Sequence, residues 1–416
     1  MLNKHKKRVA IICVFVLIIT SVLFVTLRQS KSWNGDEISY ASSGRNYSRY
    51  GLLTSDNGVY RLKDFESSAE VALCTKPQCS HSSKDCFAYN LLYEIQARIV
   101  ALYGGKLFYI TMDYEYDEDK YIFNFFESTI DGSATRKLTS IKGYSNCREL
   151  VITQGYAFLS LMVDDETSES SPNTFGKQKG RIAQISLNDG KTWLLPEKAG
   201  FSLNIFYIGA SDGKLFYYQQ YCVETVETLV FGAGLDAWKK YAAEVAEKSR
   251  TSVFFIEINN NVEKYVNEYS NIKSTYIYEE LLFRMADGLL IRMLSENSDD
   301  YSRKVTTLTA INPVTLKIMS ERTFDSDFDG YVSFIGNYAE IIKTTGDDSR
   351  YTAYRLLTGE IKELPGFLPY RVNHYIDNKI LLDLRADDGV GLITHGWIYT
   401  EDYWNGDANK INVWKQ

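Results

Sequence analysis

The chain is predicted to be all-β, a six-bladed β-propeller with room for a seventh blade, preceded by one N-terminal transmembrane helix. Three observations predict this. A turn-plus-strand signature recurs through most of the chain, aromatics make up 14% of its residues, and one long apolar stretch stands near the N-terminus. Aromatic side chains favour the pleated, half-buried surface of a sheet, and Tyr 31 with Phe 21 supply most of them here. Hydrophobic residues at 45% and charged residues at 24% are values of a globular chain that can bury a large core. Its length of 416 residues is within reach of a single all-β unit.

The N-terminal element comes first. Lys4, His5, Lys6, Lys7 and Arg8 precede an apolar run over residues 9–27, broken only by the small polar pair Thr20 and Ser21. A helix of that length spans roughly 28 Å, close to the roughly 30 Å of a bilayer's hydrocarbon core. The basic cluster ahead of the run places residues 1–8 in the cytoplasm by the positive-inside tendency. The reading is therefore a cytoplasmic tail at 1–8, a signal anchor at 9–27, a linker at 28–46 and an extracellular domain at 47–416. A cleaved signal peptide fits less well, because the run exceeds an ordinary h-region and no small-residue cleavage site follows. Cys13, preceded by Ile11 and Ile12, lacks the setting of a lipidated cysteine and reads as an apolar helix residue.

The repeats follow. Gly104-Gly105, Asp212-Gly213, Asp287-Gly288, Gly336-Asn337 and Asp377-Asn378 each introduce a short apolar run, and Gly155 introduces a slightly irregular sixth. Such pairs tolerate the positive φ of a tight hairpin turn, and the run behind them reads as a buried strand. Further turns at Asp131-Gly132, Asn188-Asp189-Gly190, Asn259-Asn260-Asn261, Asn312-Pro313 and Thr358-Gly359 complete a meander in each unit. The openings lie about 40 to 75 residues apart, and the shorter spacings match a four-stranded propeller blade. Residues 50–73 show hairpin character without an opening of their own, so they are expected to complete the sheet begun by residues 380–384 and close the ring. Extra length between the third and fourth units includes 234–249, where Leu235, Trp238, Tyr241, Ala242 and Val245 recur at helical spacing. An amphipathic helical insertion is expected there.

This pattern resembles the six-bladed propellers of the TolB and low-density-lipoprotein-receptor type over roughly residues 47–400. Residues 73–86 also resemble a segment of uncharacterised, signal-anchored extracytoplasmic propeller proteins of Gram-positive bacteria. The second resemblance implies a fold and a location but no activity.

Two clusters carry candidate chemistry. Cys74, Cys79, His81 and Cys86 form a C-x4-C-x-H-x4-C array, and three thiolates with one imidazole are the donors Zn²⁺ prefers. Outside the membrane the same thiols can instead form a disulfide, leaving the third free or paired with Cys147 or Cys222, and reduced thiols are a third reading. Asp325, Asp327, Asp329 and Tyr331 begin like a D-x-D-x-D-G calcium loop, with Tyr331 offering its carbonyl. Gly336 stands where an EF-hand needs its terminal Glu, so a hairpin calcium loop or a solvated acidic turn are the choices.

Other matches carry less. Gly209-Ala210-Ser211-Asp212-Gly213 fits G-x-S-x-G, but a strand rather than a helix is expected after it, so it is read as chance. His374 and His395 are read as ordinary polar positions rather than a catalytic pair. The acidic-aromatic run 113–120 and the polar stretch 164–179 are read as inter-strand loops. A net charge of −7 without a basic block beyond the N-terminus disfavours nucleic acid. The expected function is a membrane-anchored extracytoplasmic module that binds a protein, a peptide or a cell-wall glycan, with no catalytic residues assigned. The alternatives are a propeller-type glycan lyase or hydrolase and a non-catalytic envelope scaffold.

Overall fold

The computed structural model describes residues 38–42, 45–55, 58–115, 120–164, 177–224, 235–270, 281–286, 288–297, 304–326, 332–336, 338–345, 348–364, 370–376, 378–385 and 393–414. The tail, the predicted membrane helix and residues 28–37 lie outside them. Among the described residues no helix is long and apolar enough to cross a membrane.

The described residues form successive antiparallel meanders, labelled I (38–72), II (99–142), III (146–194), IV (198–270), V (281–326), VI (332–364) and VII (370–413). Meander I has five strands, and the others have four each. In II to VII the first two strands are joined by two-residue turns, with Tyr103↔Lys106, Thr153↔Tyr156, Ser211↔Lys214, Ala286↔Leu289, Ile335↔Tyr338 and Ile376↔Lys379 as the closing pairs. Gly104 (φ 56) with Gly105 (φ 70), and Asp212 (φ 49) with Gly213 (φ 71), are left-handed at both positions. That combination matches the right-handed twist of the flanking strands. The recurring signature thus marks the hairpin between the first and second strands, one strand later than the unit's true start.

Apolar burial is organised between neighbouring meanders. Leu73 and Leu91 pack with Leu102 and Tyr109 of II, Phe108 and Phe125 with Leu159 and Ile185 of III, and Phe158 and Ile182 with Tyr217 and Ile256 of IV. Phe216 and Phe255 meet Phe283 and Leu290 of V, Ile291 and Leu308 meet Ala339 and Leu356 of VI, and Ile335 and Ala353 meet Ile380 and Ile398 of VII. Finally Leu381, Trp397 and Trp414 of VII pack against Tyr47, Leu52 and Phe65 of I. The sequence of contacts returns to its start, which is the radial packing of a β-propeller.

The expected closure through a shared sheet is corrected by this arrangement. Meander VII is complete in itself, because the chain turns back after the helix Thr400–Asn405 at left-handed Gly406 (φ 77) and adds Asn412–Val413 as the fourth strand. Gly396↔Val413 and Trp397↔Asn412 are its pairs. Meander I pairs with III instead, through Ile38–Ser42, which runs antiparallel to Asn146–Thr153 with Ile38↔Thr153 and Ser42↔Glu149. Side chains close the ring. Phe65 lies 5.8 Å from Trp397 and 5.9 Å from Trp414, ring centre to ring centre, and Trp414 Nε1 donates to the Asp64 carbonyl at 3.0 Å. In the long connection of meander IV, an α-helix spans Leu235–Lys248 and leads directly into the strand Ser249–Glu257.

An ion cluster around the buried Glu127 joins II to III. Glu127 is bound by Lys106 and by Arg136, whose Nε donates at 2.8 Å, and Arg136 also donates to the Leu187 carbonyl of III at 2.8 Å. Burial opposes the charge on Glu127, but the two cations outweigh it and hold the carboxyl below its ordinary value. A depressed pKa gives stability that is fully present above the unfolded value of about 4.3 and is lost as pH falls through the folded value. Glu127→Gln is therefore expected to cost about 1–3 kcal/mol near pH 7. In urea titrations the gap from wild type should narrow as pH falls below the unfolded value of about 4.3 and close only once Glu127 is protonated in the folded chain as well. A gap that is independent of pH would assign the loss to packing.

Candidate metal centre

The connection from I to II turns the cysteine array into a compact site. After the strand Glu70–Ala72, Leu73 N–H bonds back to the Tyr60 carbonyl at 3.1 Å, which fixes the entry. Gln78 (φ 57) and His81 (φ 54) take left-handed conformations, folding the loop back on itself. Cys79 N–H reaches the Lys76 carbonyl at 3.3 Å and Cys86 N–H the Ser83 carbonyl at 3.0 Å. Cys86 then caps the helix Phe87–Tyr93, whose Ala88 and Leu91 are buried.

The result brings together every residue of the predicted array. One ligand atom from each of Cys74, Cys79, His81 and Cys86 lies within 4.8 Å of all the others. His81 Nδ1 is 3.3 Å from Cys86 Sγ. Cys86 is fully buried, while the other three are half-buried, so the quartet has a closed floor and a partly open side. Burial pushes the Cys86 thiol up to about 11, whereas the His81 backbone N–H pulls the Cys79 thiol down. Cys74, Cys79, Cys86, Cys147 and Cys222 are free thiols. Four soft or borderline donors converging on one point can hold a tetrahedral metal ion such as Zn²⁺.

The site is strapped to meander II from both ends. Thr75 Oγ1 donates to Asp131 Oδ2 at 3.0 Å, and Phe87 packs on Gly132 so closely that a Cβ there would stand 2.2 Å from its ring. Gly132 also has φ 74, so no other residue serves this turn well. Asp131 is held well below the usual carboxylate range by hydrogen bonds from Thr129, from the Ser133 backbone and hydroxyl, and from Thr75. The helix Phe87–Tyr93 was not read from the sequence, where Ala88 and Leu91 give only one turn of apolar spacing.

The other sequence candidates fall elsewhere. Asp325 belongs to the strand Ile318–Ser326, while Asp327, Asp329 and Tyr331 lie outside the described residues. Ser211 ends the strand Lys198–Ser211, and Asp212 and Gly213 turn into the strand Lys214–Cys222, so the G-x-S-x-G match is a hairpin without an elbow helix. His374 and His395 lie on strands Tyr370–Ile376 and Ile393–Tyr399, which are separated by Lys379–Arg385. The run at 113–120 is less of a loop than expected, since the strands continue to the pair Glu115↔Lys120. Asp113 and Tyr114 are exposed and Glu115 is half-buried, and Asn124 Nδ2 donates to Asp113 Oδ2 at 2.7 Å. Of the stretch 164–179, residues 165–176 lie outside the described residues. One grouping escaped sequence reading: Arg98, Arg148 and Glu149 border a common cavity. Arg98 immediately precedes the strand Ile99–Tyr103, whereas Arg148 and Glu149 lie on Asn146–Thr153, and no local spacing brings the three together.

No family model and no curated protein matches the chain. Among solved structures, it is similar to the β-propeller domain of the Trilobed protease from Pyrococcus furiosus, with a TM-score of 0.40, 10% identity and coverage of 71% of this chain and 78% of that one. It is also similar to the Pyrococcus horikoshii acylaminoacyl peptidase, with a TM-score of 0.44, 12% identity and coverage of 75% of this chain and 44% of that one. The chain thus spans under half the length of that peptidase. An oligogalacturonate lyase in complex with manganese gives a TM-score of 0.38 at 11% identity, over 72% of this chain and 80% of that one. At these values none of them bears on what the chain does.

Proposed function

We propose that the chain is a single-pass, membrane-tethered β-propeller of seven blades, displayed outside the cell, that serves as a binding module for a protein, a peptide or a cell-wall glycan. In this reading Zn²⁺ held by Cys74, Cys79, His81 and Cys86 is a structural clip on the connection between the first two blades. The observation that carries it is the convergence of those four donors within 4.8 Å, on a loop anchored to both meanders. A binding surface must keep its shape while loops on it meet a partner, and a metal-held strap between the first two meanders supplies that rigidity. The apolar run at 9–27 with its basic leader supports the tether and the outward display. Calcium on Asp325, Asp327, Asp329 and the Tyr331 carbonyl is a further part of the proposal.

Native mass spectrometry of the full chain, released from a neutral detergent with and without chelator, tests the metals. The expected spectrum shows a mass increment of one zinc that chelator removes, with the cysteines reduced. A disulfide among Cys74, Cys79 and Cys86 with no bound metal would remove the zinc clip. The same spectrum reports calcium, and protease treatment of intact cells tests whether the propeller is displayed outside.

A further inference from the structure

The innermost strands of meanders II and III, Ile99–Tyr103 and Asn146–Thr153, lie beside each other. At their leading ends they border a cavity of about 410 Å³, which also touches Ser42 of meander I. The cavity is built from two kinds of surface. Ile99 and Phe123 are buried, and Met112 and Cys147 are half-buried, so one wall is apolar, while Ser42 and Asn146 are its neutral polar members. Arg98 and Arg148 border it with exposed side chains. Arg148 donates to Asn204 Oδ1, while the Arg98 side chain has no hydrogen-bond or ion-pair partner among the described residues.

Glu149 is the acidic group of the cavity, and it is already engaged. Its Oε1 accepts from Tyr40 Oη at 2.6 Å and its Oε2 from the Tyr207 N–H at 3.2 Å. Burial raises its pKa, against the pull of those two donors and of Arg148. Even with Glu149 ionised, two guanidinium groups face one carboxylate, so the cavity carries a net positive charge over an apolar floor. A ligand complementary to it is a monoanion with a compact apolar body. Ser42 and Asn146 also line the cavity and can pair one or two hydroxyls, but a sugar acid would leave the rest unpaired against Ile99, Met112 and Phe123. A volume near the low end of the usual range of about 300–1,000 Å³ admits a small group rather than a long chain.

We propose that this cavity binds an apolar carboxylate, its anionic end on Arg98 and Arg148 and its apolar body on Ile99, Met112 and Phe123. That chemistry has two sources, the C-terminal residue of a peptide and a short acyl acid. The inference rests on the binding-module reading and deepens it, since it names the ligand's chemistry.

The test is calorimetric titration of the full chain in neutral detergent with Gly-Gly-Leu and with hexanoate, each beside its primary amide, and with glucuronate. At least one of the two acids is expected to bind, with its amide weaker by about tenfold or more, because a charge-assisted bond to Arg is lost. Arg98→Ala and Arg148→Ala should each weaken the acid by a similar factor while leaving zinc content and melting temperature unchanged. Binding of the peptide alone assigns a chain end, hexanoate alone assigns an acyl acid, and both together support the shared chemistry. The proposal is overturned if neither acid binds, if the amides bind as well as the acids, if the Arg variants bind like wild type, or if glucuronate binds as tightly as the apolar acids. Such a failure leaves the zinc count untouched, so it is distinguishable from failure of the clip.

Discussion

Phe65→Ala is expected to cost about 3–5 kcal/mol in urea unfolding, the largest effect of any substitution in meander I. Phe65 is 3% exposed and stands between Trp397 and Trp414, with Lys379 Nζ 5.7 Å from its ring centre. Truncation removes the transfer free energy of the ring and leaves a cavity lined by two indoles that cannot collapse into it. The loss is amplified by position. The first and last meanders share no strand pairing among the described residues, so this contact and the Trp414 Nε1 bond to the Asp64 carbonyl hold the ring shut. Val413→Thr is the matched control, because Val413 is 46% exposed and its strand pairs through backbone groups. It should stay within about 0.5 kcal/mol of wild type. If Phe65→Ala also stays within about 1 kcal/mol, the ring does not depend on this seam.

The contrast between those two variants explains what could be read from the sequence. The six hairpins were legible because each depends on two adjacent residues, as Gly104-Gly105 and Asp212-Gly213 show with positive φ at both places. The cysteine array was legible for a similar reason, since its four donors fall within residues 74–86 and one loop folds them together. Ring closure was not. Phe65 is far along the chain from Trp397 and Trp414, and aromatic residues are common throughout it, so nothing local marks that three of them meet. The closing strand Asn412–Val413 spans two residues and depends on the turn at Gly406, too short for any alternation to show. The cavity illustrates the same limit: Arg98 reads as a solvated charge and becomes a candidate ligand contact only when meander III sets Arg148 and Glu149 beside it.

Loss of the proposed zinc is the second large effect. Chelation of the full chain is expected to lower the melting temperature by about 5 °C or more. Zinc-finger peptides draw about 10–16 kcal/mol of apparent folding free energy from their metal, because nothing else orders their ligands. The loop here keeps other anchors, the Thr75–Asp131 hydrogen bond and the Phe87–Gly132 contact, so a smaller share depends on the ion. Cys86→Ala should reproduce the chelated state and add a packing loss, since Cys86 is 0% exposed at the start of the helix Phe87–Tyr93. The two treatments must also fail to add: chelator given to Cys86→Ala should shift its melting no further, because removing one thiolate already empties the site. A disulfide in the same loop predicts the reverse pattern, with reductant lowering the melting temperature and chelator leaving it unchanged. The reverse pattern would make the array a covalent staple and end the case for zinc.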